Sequence, residues 1–213
     1  MPPVERFVCR FAAEPPQEAP PHGAWAQTLQ AEFLAACLRI DDEGRELGEA
    51  RELRWFPDRT WNGRTYIPVT ARTTTDLELF GYVSFAPGDA EGSGGEAEPS
   101  DFRSTADFTE ETAERNPDWR IDLCEEVIGS WRGDGGHRAE MTLVWGVPLI
   151  GRARVATAEL AGLAVDQCAT VGDRFTLIAP DAYRSDYLDV KLWDADGREL
   201  ASESLYVEDE DEE

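Results

Sequence analysis

The clearest alternation of apolar and polar positions runs from Leu188 to Val207 (LDVKLWDADGRELASESLYV). Leu188, Val190 and Leu192 fall on one face, Asp189 and Lys191 on the other, as the two-residue period of a strand requires. Asp196-Gly197 supplies a turn and the alternation resumes through Ala201, Leu205 and Val207, so the segment predicts a β-hairpin. Val4 to Phe11 also alternates, with Phe7, Cys9 and Phe11 on one face, and predicts a strand. Glu14 to Pro21 is too rich in proline for regular structure. Beyond it Trp25, Leu29, Phe33, Ala36, Cys37 and Ile40 recur at helical spacing, while Phe33 to Ile40 also has the length of a buried strand. The expectation is a helix from Ala24 to about Phe33, then a strand.

That division follows from a partial echo. Asp41 to Gly48 reads DDEGRELG and Asp194 to Ala201 reads DADGRELA, each after an apolar run. A shared turn, and two related β units of which the first carries an insertion, account for the similarity. Glu52 to Phe56 continues the first hairpin, and Asn62-Gly63 predicts another turn before a strand at Thr65 to Thr70. Pro68 cannot donate to a ladder, which predicts an edge or a bulge there. Asp76 to Phe85 carries apolar residues on both faces, as a layered β structure needs.

Residues 87–102 offer little to bury and predict a loop or linker. Thr109 to Asn116 has a capping-box pattern and predicts a short central helix before Pro117. Trp119 to Ile128 fits strand or helix, and the glycines of Gly129 to Gly136 predict a turn-rich connection. Glu140 to Trp145, Ala153 to Leu163 and Asp173 to Ala179 predict strands. The whole is a mainly β protein, a sandwich or two small related β lobes, with one N-terminal helix and a short central one. The expected division is 1–86, a linker at 87–102, a second unit at 103–207 and an acidic tail at 208–213.

Composition narrows the functional classes. The net charge is −24; setting aside the eleven acidic residues of 87–102 and 208–213 still leaves 33 acidic against 20 basic groups. Such a field repels phosphate backbones and anionic lipid and attracts basic proteins. Nineteen arginines against one lysine, Lys191, fit a high-GC bacterial genome. No apolar run approaches a membrane span, and Met1 to Phe11 lacks the pattern of a signal peptide, so a cytoplasmic protein is expected. Cys9, Cys37, Cys124 and Cys168 are widely spaced, which speaks for buried free thiols over a zinc site or a disulfide framework.

Candidate chemistry is sparse. His137 and Cys124 with Asp134 could be imagined as a nucleophilic set, but nothing in their spacing supports it. The glycine-rich GSWRGDGG lacks the order of a phosphate loop or dinucleotide turn, and no cofactor is expected. Asp41-x-Glu43-Gly44 and Asp194-x-Asp196-Gly197 miss the later ligands of a calcium loop, so no metal is expected. Gly129-Ser130-Trp131 resembles the G-x-W that opens the first strand of lipocalin-like barrels. The resemblance covers three residues and implies a cup for a small apolar ligand, with Trp131 closing its base.

The one locally basic stretch interleaves Arg51, Arg54, Arg59 and Arg64 with Trp55, Phe56, Trp61 and Tyr66. That is the composition of a protein contact patch, and equally of a strand pair burying its aromatics. Three functions are therefore expected in turn. The first is a non-enzymatic interaction or accessory module with a protein partner, favoured if basic. The second is a barrel that binds or cyclises a small apolar ligand. The third is an acidic mimic that inhibits a basic, nucleic-acid-binding protein.

Overall fold

The computed structural model describes residues 13–14, 21, 23–42, 44–88, 99–132, 136–183 and 186–205. They form one helix and thirteen strands: β1 (Ala13–Glu14), α1 (Gly23–Cys37), β2 (Ala50–Trp55), β3 (Arg59–Trp61), β4 (Arg64–Thr73), β5 (Glu78–Ala86), β6 (Ser100–Thr109), β7 (Ile121–Arg132), β8 (Arg138–Pro148), β9 (Val155–Leu160), β10 (Leu163–Ala169), β11 (Phe175–Asp181), β12 (Leu188–Trp193) and β13 (Glu199–Ser204). Three antiparallel sheets result. The first has the order β1-β3-β4-β5-β6 with β2 also on β4, the central one β11-β8-β7, and the outer one β10-β9-β12-β13.

The alternation of side chains stacks these sheets in layers. Ile67, Val69, Leu79 and Val83, odd positions of β4 and β5, pack with Leu29 and Phe33 of α1. The even positions Tyr66, Phe80 and Tyr82 face the other way, onto Met141, Leu143 and Trp145 of β8 and Ile178 of β11. On the far side of the central sheet, Val144, Phe175 and Leu177 pack against Ala156, Ala158, Leu188, Val190 and Leu192 of the outer sheet. The central sheet is thus covered on both faces, and Phe175 to Ala179 are buried without a break. This is why MTLVW and FTLIA read as apolar runs while the half-buried β12 alternates.

The helix is pinned at both ends. Trp25 meets Phe85 edge-on at 5.0 Å and Phe102 at 5.9 Å. Arg39 donates to the Ala35 carbonyl at 2.9 Å, closing the last turn, and to the Ser104 carbonyl at 3.2 Å. At the junction of the three sheets Arg59 of β3 is buried against Asp166 of β10. Its Nη2 lies 2.7 Å from both carboxylate oxygens, and the Ile178 backbone N–H of β11 donates to Oδ2 at 2.8 Å.

The mainly β fold and the hairpin Leu188–Ser204 agree with the sequence pattern. Asn62-Gly63 joins β3 to β4 with both residues at positive φ, 52° and 73°, the geometry a two-residue hairpin turn favours. Four expectations need correction. The strand at Phe33 to Ile40 is helix as far as Cys37, because Phe33 and Ala36 continue the face begun by Leu29. The short central helix is not formed: Thr109 accepts from the Glu111 N–H and Asn116 N–H reaches the Thr112 carbonyl, but the segment stays a turn. One turn ahead of a proline cannot repay helix nucleation. Gly129 to Arg132 is strand, with a bulge between Val127 and Gly129, not a turn-rich connection. Finally, Pro68 lies within β4 between two neighbours, not at an edge; its missing donor falls where the pairing passes from β2 to β3, and its carbonyl accepts from Phe56 N–H.

The segment 87–99 joins β5 to β6, which pair side by side, and β6 begins at Ser100. The echoed segments turn one position out of register: Asp42 Oδ1 accepts from Gly44 N–H, whereas Asp194, the counterpart of Asp41, accepts from Asp196 N–H, and only Asp194 sits in a hairpin. The expected strand at Val4 to Phe11, Val207 and the tail 208–213 lie outside the described residues.

Candidate functional site

The space between the first and central sheets is apolar in the middle and polar at one end, where it opens as a cleft of about 790 Å³. The alternation that sends Tyr66 and Phe80 inward also sends Thr70 and Arg72 of β4 and Glu78 of β5 toward the central sheet. Arg54 of β2 stands opposite Thr70. Asp122 of β7 and Val147 of β8 form the facing wall, and Gly172, Asp173 and Arg174 close one end. Arg51, Glu52, Glu114 and Leu149 complete the rim. Nine charged side chains thus line one opening.

Their pairing is uneven. Arg72 holds Glu114 at 2.8 Å on the rim. Arg174 donates through Nη1 to the Trp55 carbonyl, next to Arg54, and its Nε lies 3.4 Å from the Gly172 carbonyl. Burial and then the nearby Arg54 charge lower the Arg174 pKa. The Arg54 side chain forms no hydrogen bond or salt bridge among the described residues.

The carboxylates respond in the opposite sense. Burial, then the charge of Asp122, raises Glu78, with Arg54, Arg72 and a hydrogen bond to Thr70 opposing. Asp122 is raised by burial against the pull of the same two arginines. A carboxyl held above its unfolded value binds more protons when folded, so folding stability falls as pH rises beyond the ordinary values of 3.8 and 4.5. Glu78→Gln is expected to flatten that slope and raise stability at neutral pH. Denaturant unfolding across pH 4 to 7 measures it; an unchanged slope would place the effect elsewhere.

The basic aromatic stretch is divided by the sheet it belongs to. Arg51 and Arg54 are exposed and reach the cleft. Phe56, Arg59 and Tyr66 are buried, and therefore are not surface contacts. Trp55 leans on the helix-side core and Trp61 on the aromatic core, against Gly129, where a Cβ would lie 2.7 Å from the Trp61 ring. Arg64 is bound to Asp101. Composition identified the residues but not the faces. Arg72, Glu78, Asp122 and Arg174 escaped the sequence reading because only sheet packing brings them to Arg54.

The remaining candidates separate. Trp131 packs against Tyr183 at 5.6 Å on β7, an edge strand paired only to β8, and no sheet among the described residues closes into a barrel. Cys124 pairs with Trp145, while His137 lies beyond Arg138 at the strand end. Eight strand residues, about 26 Å, separate Cys124 from that end. Burial pushes Cys37 and Cys168 up to about 11 and Cys124 well above its ordinary value, so all three stay protonated at neutral pH. Among the described residues no three His, Cys, Asp or Glu converge as metal ligands, and no helix is long and apolar enough to cross a membrane. No family model, curated protein or solved structure matches this chain.

Proposed function

We propose that this chain is a non-enzymatic interaction module that docks a segment of a partner protein into the cleft between its first and central sheets. The observation that carries this reading is the cleft: an open, charged recess held between two rigid sheets, of a size that accepts a few residues of polypeptide. Its four arginines and five carboxylates suit a segment bearing both signs of charge. The net charge of −24 draws a basic partner from a distance, while the cleft supplies register at close range.

Affinity capture from a native lysate tests it. The wild type is expected to retain a discrete basic protein that is lost in about 1 M salt, where the screening length is roughly 3 Å. Arg54→Glu should lose that protein, and Arg103→Glu, at an exposed position of β6, should keep it. Retention that survives Arg54→Glu but not salt would assign binding to the acidic surface at large and overturn the cleft. No retention in low salt would sink the interaction reading itself.

A further inference from the structure

We propose that Arg54 and Arg174 form a receptor for a single carboxylate on the ligand that enters the cleft. This rests on the cleft being the binding site, as above, and adds the chemistry of the anchor. The Arg174 guanidinium is fixed by its bond to the Trp55 carbonyl, one residue along the chain from Arg54, and the two arginines line the same cleft, where Arg174 feels the Arg54 charge. It also lies over Gly172, where a Cβ would come 3.3 Å from Nη2. Nη2 has no hydrogen-bond partner among the described residues. Arg54 brings a second guanidinium that no carboxylate among the described residues neutralises by direct contact, in a chain with more than twice as many acidic as basic residues. Glu78 and Asp122 are close enough to feel the Arg54 charge, yet neither bonds it.

Two adjacent guanidinium groups with unused N–H donors repel one another, and an oxyanion between them relieves that repulsion while accepting their hydrogen bonds. The surroundings choose which oxyanion. Glu52, Glu78, Glu114, Asp122 and Asp173 all line the same opening, so a second negative charge on the ligand is penalised. A carboxylate carries one charge at neutral pH and a phosphate up to two. The carboxylate is therefore favoured. Val147 and Leu149, which line the same opening, offer apolar surface to a side chain next to it, as at a peptide terminus.

The test uses the full chain, ¹⁵N-labelled, following arginine Nε–Hε resonances at constant ionic strength. N-acetylleucine is the probe; N-acetylleucinamide and inorganic phosphate are the comparisons. The Arg54 and Arg174 signals are expected to move saturably with N-acetylleucine and not with the amide. Arg54→Gln should weaken binding about tenfold, the scale of one charged hydrogen bond, and Arg103→Gln should leave it unchanged. The Arg54 side chain is exposed and forms no hydrogen bond or ion pair among the described residues, and Arg54→Gln leaves the backbone pairing to Thr70 in place, so the change does not threaten the fold. No saturable movement, equal binding by Arg54→Gln, or tighter binding of phosphate would each overturn the proposal. Carboxylate binding without any captured protein would instead retain the receptor and refute the interaction module.

Discussion

Replacing Asp166 by alanine is expected to cost about 3–5 kcal/mol of folding stability, the range for stranding one charge of a buried pair. The Arg59 side chain is 3% exposed and that of Asp166 12%. Without the carboxylate, the guanidinium keeps its burial and loses the partner that justified it. Arg59 Nε already lacks a hydrogen-bond partner among the described residues, and the Ile178 N–H would lose its acceptor too. The pair joins β3, β10 and β11, one strand from each sheet, so its loss is felt in all three. Arg59→Met with Asp166→Leu should recover most of the loss, because removing both charges also removes their desolvation cost. Guanidinium chloride unfolding of the two single variants and the double decides the matter. A loss below about 1 kcal/mol for Asp166→Ala would mean that the charge reaches solvent and is screened.

Trp145→Ala is the second large effect, again about 3–5 kcal/mol, now through a cavity. Trp145 is fully buried in the cluster that holds the first sheet on the central one, with Phe56, Tyr66, Met141, Leu143 and Ile178 around it. Its indole N–H has no hydrogen-bond partner among the described residues. Trp145→Phe therefore keeps most of the packing and gives up an unsatisfied donor, and should cost less than about 1.5 kcal/mol. Denaturant midpoints for both variants test this, and similar losses for Phe and Ala would show that the N–H, not the volume, matters. If Trp145→Ala splits unfolding into two transitions, the aromatic layer is what couples the first sheet to the other two.

How much of this was legible in the sequence depends on how many faces of an element are buried. β12 buries one face and announces itself by alternation; β8 and β11 bury both and announce themselves as apolar runs. Phe33 to Ile40 defeats both signals, since a short apolar stretch fits the end of a helix as well as a strand. Gly129 was misread because glycine signals turns, whereas here it makes room for the Trp61 ring. Of the site, Arg51 and Arg54 were visible as part of a basic stretch. Arg72, Glu78, Asp122 and Arg174 come from β4, β5, β7 and the approach to β11, and no local pattern links them. Arg59 was misplaced for a related reason: its partner Asp166 lies 107 residues away.

The central sheet also imposes an order on biosynthesis. Every strand of the first sheet precedes Ile121, so that sheet can close on its helix while the ribosome has yet to deliver β7 and β8. Until Met141 to Trp145 emerge, the Tyr66, Phe80 and Tyr82 side of the sheet has nothing to pack on. At elongation rates of roughly 5–20 residues per second, that aromatic surface stays bare for seconds. The nascent chain is most in need of a chaperone in that interval, which ends when the central sheet docks.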